Sequence, residues 1–153
     1  MADSPWLTDE QQLVWRQYLN ISRKLHDRIE REMQRQAGMP QAYYLILAML
    51  SEAPARSLRM NQLADILEAS QSRTSHAVAR LEEQGWVRRE RTPEDGRGQI
   101  AHLTETGWRR LIELAPGHAE TVRTTMFDAL DKEDLADLGR IYDKIAANLE
   151  SRG

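Results

Sequence analysis

SQSRTSHAVARLEEQGWVRRERTPEDGRGQIAHLT, residues 70–104, reads as a short amphipathic helix running straight into a two-stranded hairpin. Ser70 is a good N-cap, because its hydroxyl can accept from an unpartnered amide of the first turn. Ala77, Val78 and Leu81 fall at helical spacing and offer a stripe to bury. Gly85 is a natural stop, since glycine takes the left-handed conformation at little cost. A helix is therefore predicted over 71–84, with Gln71, Ser72, Arg73, Ser75, His76 and Arg80 on its polar side. Such faces are commonly just solvated. This one carries side chains that can hydrogen-bond base edges and has no acid before Glu82 and Glu83. The N-terminal residues of a recognition helix are the ones that meet bases in the major groove.

The hairpin extends that reading. Trp86 and Val87 open a strand, residues 99–103 make its return, and the intervening segment contains Pro93, Gly96 and Gly98, which is turn chemistry. Arg88, Arg89 and Arg91 line the outgoing strand. With Arg80 they are candidates for phosphate contacts, whereas Gln71, Ser72, Arg73, Ser75 and His76 are candidates for base contacts, and Ser70 belongs to the same DNA-binding set. Arg97 sits near the tip, and Asp95, two residues earlier, can hold its guanidinium in a bidentate pair. A hairpin-tip arginine suits the minor groove, where negative potential concentrates as the groove narrows. The plainer alternative is that Asp95 and Arg97 neutralise each other in solvent.

Asp95-Gly96-Arg97, followed by Leu103-Thr104-Glu105-Thr106-Gly107, resembles the wing signature of the MarR (multiple-antibiotic-resistance regulator) family. That signature is a D-x-R at the wing tip and an L-T-x-x-G opening the next helix. Met60-Asn61-Gln62-Leu63-Ala64 and Leu81-Glu82-Glu83-Gln84-Gly85-Trp86-Val87 are similar to the family's helix-turn-helix pattern. Gly96 departs from it, since members often carry a second arginine or another polar residue there. In element order the resemblance spans nearly the whole chain.

The resemblance implies a mainly α (α+β) fold: a winged helix-turn-helix with long N- and C-terminal helices forming a dimerisation region. Residues 1–40 would supply the N-terminal dimerisation helix. Residues 41–104 would be the DNA-binding lobe, with recognition helix 71–84 and wing 86–104, and residues 105–153 would supply a linker helix and the C-terminal dimerisation helix. It implies a homodimeric transcriptional regulator, most often a repressor. Such a regulator binds double-stranded DNA at a palindromic operator and leaves it when a small ligand changes the spacing of the recognition helices. It also implies a pocket receptive to aromatic or phenolic acids. Trp15, Tyr18, Tyr43, Tyr44 and Trp108 would surround that pocket, with His26 and His118 as sources of charge. Core and interface packing is the plainer reading of each.

Composition sets the bounds. A chain of 153 residues is one domain, or a small domain with helical extensions. Its 41% hydrophobic and 29% charged content is ordinary for a globular chain. No apolar run approaches the ~18–20 residues that span a bilayer, and no signal-peptide core opens the chain, so a cytoplasmic protein with no membrane partner is expected. Zero cysteines exclude disulfides, thiolate catalysis and cysteine-based redox sensing. A formal net charge of −3 looks wrong for a DNA binder, but whole-chain charge misleads when charge is unevenly placed. Residues 70–110 hold eight arginines against six carboxylates, and acids collect instead over 3–10 and 120–150. Lysine occurs only at 24, 132 and 144, which genomic codon bias explains as well as phosphate recognition does.

Outside the central stretch, helices dominate. Thr8, with Gln11 as its capping-box partner, starts a helix over 8–37 with Val14, Tyr18, Ile21, Leu25, Ile29 and Met33 at helical spacing. Gly38 ends it and Pro40 precedes a helix over 41–52; a loop at 53–56, a very short strand at 57–59 and a helix over 61–67 capped by Asn61 follow. Thr104 caps the next helix, which carries Trp108, Leu111, Ile112 and Leu114 and should break or bend at Ala115-Pro116-Gly117. Helix resumes over 118–129 with Val122, Met126 and Phe127 inward. Asp131 caps a last helix to residue 150, striped by Leu135, Leu138, Ile141 or Tyr142, Ile145 and Leu149. The first and last stripes are too long for a small core to cover, and an apolar stripe with no internal cover usually meets another chain. Packing into a monomeric helical bundle is the alternative.

Catalysis finds no support. The histidines at 26, 76, 102 and 118 lack metal-ligand spacing, and neither a phosphate-cradling glycine loop nor G-x-S-x-G is present. Glu30 and Glu32, and likewise Glu82 and Glu83, sit among basic residues and read as surface charge. No enzyme, metal or cofactor is expected. The competing function is a winged-helix module for protein contact whose arginines meet an acidic partner. Retention of one duplex over a scrambled one separates the two.

Overall fold

Thr8 and Gln11 start the first helix reciprocally. The Thr8 amide donates to Gln11 Oε1 at 3.0 Å, and the Gln11 amide donates to Thr8 Oγ1 at 3.2 Å. In this computed structural model, which describes residues 6–92 and 98–151, helix α1 therefore runs Asp9–Ala37 and stops at Gly38, whose φ is +64°. Helix α2 is Gln41–Glu52. Pro40 offers no capping side chain, and the Gln41 amide donates instead to Glu30 Oε2 at 2.9 Å. Glu30 is thus a cap supplied by the preceding helix, where a carboxylate also suits the positive end of the α2 dipole. It is not mere surface charge.

A short 3₁₀ turn at Pro54–Arg56 leads to β1 (Ser57–Arg59) and α3 (Met60–Ile66). Helix α3 begins one residue earlier than its sequence indicates, and Asn61 is not its cap. Gln62 Oε1 reaches back to accept from the Arg59 amide at 3.1 Å, which stabilises a start at Met60. Next come α4 (Gln71–Glu83), β2 (Val87–Arg91), β3 (Gln99–Leu103) and α5 (Glu105–Val122). A π-helical turn at Arg123–Phe127 and α6 (Lys132–Glu150) complete the order. Asp131 Oδ1 accepts from the Glu133 and Asp134 amides at 2.8 and 2.9 Å, capping α6 as its sequence implies.

Pro116 does not interrupt α5. Leu111 and Leu114, on the turn before it, are 6% and 8% exposed, so packing holds the helix in place. Proline's missing donor leaves a gap toward Ile112, and both Ile112 and Pro116 lie on the solvent side. Residues 123–127 then form a π turn in place of a regular helix, and Phe127 is exposed within the chain instead of inward.

The chain forms two compact units, Glu30–His118 and the combination of Met1–Ile29 with Ala119–Gly153. The first holds the core: Ile46, Leu47 and Leu50 of α2, Leu63 of α3, and Val78 and Leu81 of α4 are fully buried. Its antiparallel sheet has the order β1-β3-β2, with Leu58 opposite Ala101 and Val87 opposite Leu103. The second unit exposes apolar residues on both of its long helices, including Val14, Ile21, Leu135 and Ile145. Among the described residues no helix is long and apolar enough to cross a membrane.

Candidate nucleic-acid interface

The buried face of α4 decides what its other face presents. Thr74, Val78 and Leu81 point into the core, with Ala77 half-buried. Gln71, Ser72, Arg73, His76 and Arg80 are consequently exposed, and Ser75 is half-buried at the boundary. Ser70 Oγ accepts from the Arg73 amide at 3.2 Å, so its hydroxyl oxygen serves as the helix cap. Gly85, at φ +73°, turns the chain from α4 toward β2. The Thr104 hydroxyl then donates to Gly85 O at 2.7 Å and accepts from the Gly107 amide at 3.0 Å, joining the start of α5 to the end of α4.

Five paired positions hold the wing together, from Val87 opposite Leu103 to Arg91 opposite Gln99. Beyond them the Thr92 amide and hydroxyl both donate to Gly98 O at 3.0 Å. Asp95, Gly96 and Arg97, the tip residues singled out in the sequence, lie outside the described residues.

Strand parity sorts the wing arginines. Arg88 and Glu90 share the outward face, where Arg88 Nη1 lies 2.6 Å from Glu90 Oε2 and His102 Nε2 lies 2.9 Å from Glu90 Oε1. The Arg88 hydrogen bond holds the Glu90 carboxyl below its usual pKa. Arg80 Nη1 pairs with Glu83 at 2.9 Å on α4. Both arginine pairs are about half exposed, so little free energy is needed to open them toward another anion. Arg91 is exposed at the end of β2. Arg89 behaves differently. It shares the inward face with Val87, opposite Ala101, and its Nε donates to Glu82 Oε2 at 2.7 Å while Nη1 donates to Ser75 Oγ at 3.1 Å. The Arg89 amide donates to Glu82 Oε1 at 2.8 Å. Glu82, read from sequence as surface charge, is therefore the joint between α4 and β2. Counting by twos from Val87 would have found it.

A cleft of about 570 Å³, with Met60 among its lining residues, opens where the start of α3, the start of α4 and β3 meet. Arg59, Asn61, Gln71, Ser72, Ser75 and Gln99 line it. Backbone amides of the first turn of α4 give this end a partial positive charge. The arrangement can bind a polyanion and present hydrogen-bond donors to it.

The aromatic and histidine candidates fall into two sets. In Glu30–His118, the Tyr44 and His118 rings lie 4.2 Å apart, Tyr43 is half-buried, and Trp108 lies under the Arg56 guanidinium at 4.2 Å. His118 Nδ1 is buried with no hydrogen-bond partner among the described residues, and burial lowers its pKa, so the ring is neutral at pH 7. In the other unit, Trp15 and Tyr18 stack at 5.5 Å and His26 Nδ1 lies 2.8 Å from Ser22 O. Among the described residues no group of three or more His, Asp or Glu side chains could hold a metal ion.

The sequence model of the MarR family matches residues 37–98. The chain is similar to the solved structure of Sco3205, a MarR family transcriptional regulator from Streptomyces coelicolor, in complex with DNA. Identity is 49%, 95% of this chain and 92% of that one are covered, and the TM-score is 0.88. AbsC, a MarR family transcriptional regulator from the same organism, is 38% identical over 97% of this chain and 99% of its own, with a TM-score of 0.86. The transcriptional regulator BldR from Sulfolobus solfataricus is 26% identical over 89% of this chain and 96% of its own, with a TM-score of 0.73. No curated protein matches the chain.

Proposed function

This chain belongs to the MarR family of transcriptional regulators, and from that premise we propose that it is a homodimeric repressor that binds a palindromic operator and is released by a small aromatic or phenolic ligand. The observation that carries DNA binding is the DNA complex of a regulator 49% identical to it. The local chemistry agrees. In residues 41–104, the proposed DNA-binding lobe, the N-terminal face of α4 enters the major groove, where Gln71, Ser72, Arg73, Ser75 and His76 set base preference. Arg80 and Arg88 leave their weak surface pairs for phosphates, exposed Arg91 adds another such contact, and Arg97, outside the described residues, keeps the minor-groove role that its sequence position suggests.

Dimerisation is supported by the apolar residues that the terminal helices leave in solvent: Leu13, Val14 and Ile21 of α1 are 56–59% exposed, and Leu149 of α6 is 67% exposed. A two-fold dimer places its recognition helices in successive major grooves about 34–36 Å apart. Ligand response is supported by the Tyr44–His118 pair with its unpartnered buried nitrogen. A ligand releases DNA only through unequal affinity for two conformations.

Selection of bound duplexes from a random pool by the full chain tests this reading. A two-fold symmetric motif with half-sites one helical turn apart is the expected result. A pool that remains unenriched overturns it.

A further inference from the structure

Three hydrogen bonds converge on Arg89 from a single neighbour and its helix. Glu82 accepts from both the Arg89 amide and Nε, at 2.8 and 2.7 Å, and Nη1 continues to Ser75 Oγ at 3.1 Å. The two side chains of the ion pair are only 20% and 30% exposed, against 58% and 49% for Arg88 and Glu90 in theirs. Ser75 also lines the cleft at the start of α4. A serine hydroxyl has one proton and two lone pairs. Arg89 occupies one lone pair, which leaves the Ser75 proton free to donate, and the cleft that Ser75 lines is the open space beside it.

We infer that Arg89 and Glu82 are positioning residues, which lock the wing strand to the recognition helix and orient Ser75 as a hydrogen-bond donor toward a base edge. The inference rests on the DNA-binding reading and deepens it. A donor at this place selects the major-groove acceptors: guanine N7 and O6, adenine N7 or thymine O4. Arg89 then contributes to affinity without meeting a phosphate.

The two roles for Arg89 predict opposite signs. Were Arg89 a phosphate contact, E82Q would free its charge and tighten DNA binding, while R89Q would lower the slope of log affinity against log salt by about 0.9. As positioning residues, E82Q and R89Q should each weaken binding about tenfold or more with the slope unchanged, consistent with losing hydrogen bonds to a charged group. The double variant should be little worse than either alone. S75A, at a half-buried site that α4 needs for no core contact, should relax preference at one base pair per half-site.

Fluorescence anisotropy with a duplex recovered by the wild-type chain from a random pool, over a salt series, reads these effects. Amide hydrogen exchange at Arg89 is followed on the same proteins without DNA. Faster exchange in E82Q together with weaker binding at unchanged slope is expected. Tighter binding in E82Q, a shallower slope in R89Q, or exchange at Arg89 unaltered by E82Q overturns the clamp. A wild-type chain that enriches no duplex overturns the DNA-binding reading itself, whereas the exchange measurement judges the clamp separately.

Discussion

The imidazole of His118 packs against the phenol ring of Tyr44, with centroids 4.2 Å apart and planes tilted by 34°. Burial lowers the His118 pKa and raises that of Tyr44, so both rings are neutral at pH 7. Unfolding returns the imidazole to about 6.5. Above that value neither state carries the proton. As the pH falls below it, the unfolded chain takes up the proton first, so stability contributed at this site declines on acidification. Urea midpoints measured from about pH 7.5 down to about pH 5.5 should fall less steeply in H118L than in the parent, because the titrating ring is gone. Equal slopes would place the acid sensitivity on another group.

Gly107 is the tightest glycine of the α4–α5 junction. A Cβ there would collide with the Trp86 carbonyl oxygen and lie 2.8 Å from Leu103 Cδ1. That carbonyl already accepts from the Thr104 amide at 3.0 Å, so it has little freedom to move. Gly107→Ala should destabilise the fold by about 2–3 kcal/mol in chemical denaturation, as overpacking does. A change within about 0.5 kcal/mol would mean that the junction relaxes.

Ile145 of α6 is 50% exposed, so within one chain a charge at that position meets water. If two copies bury it, Ile145→Glu should convert a dimer into monomers in sedimentation velocity at micromolar concentration, with far-UV helicity kept. A dimer that persists would remove this helix from the interface. Truncation before Asp131 should likewise yield monomer or aggregate.

Arg73 and Arg91 should fail differently. Arg73→Ala, on the exposed first turns of α4, should alter preference at one base pair by about 1–3 kcal/mol. Arg91→Ala should weaken all sequences alike and reduce the salt slope by about one phosphate's share, roughly 0.9. Competition binding with single-substituted duplexes over a salt series distinguishes the two patterns.

Much of the local order was legible in the sequence, though the Asn61 cap and the break at Pro116 were not realised. The Thr8, Ser70, Thr104 and Asp131 caps, the stops at Gly38 and Gly85, and the return strand Gln99–Leu103 all formed as the sequence implied. Each depends on groups a few residues apart, whose propensities and hydrogen bonds are set by the backbone itself. The apolar stripe of α4 was legible too, since Val78 and Leu81 at helical spacing could bury only one face, and that choice exposes Arg73 and His76.

What the sequence by itself determined, then, is the succession of helices and the hairpin, and with it the face offered to a partner. Tertiary structure alone decided which charges remain available. Glu30 caps a helix eleven residues ahead, Glu82 binds an arginine seven residues on, and that arginine reaches a serine fourteen residues back. It also carried α5 through Pro116, where burial of Leu111 and Leu114 outweighs a backbone preference of about 3 kcal/mol. The physical reason is range. Capping and periodicity act within a turn or two, whereas the partner of a charged side chain is whatever the packed chain brings within about 3 Å of it.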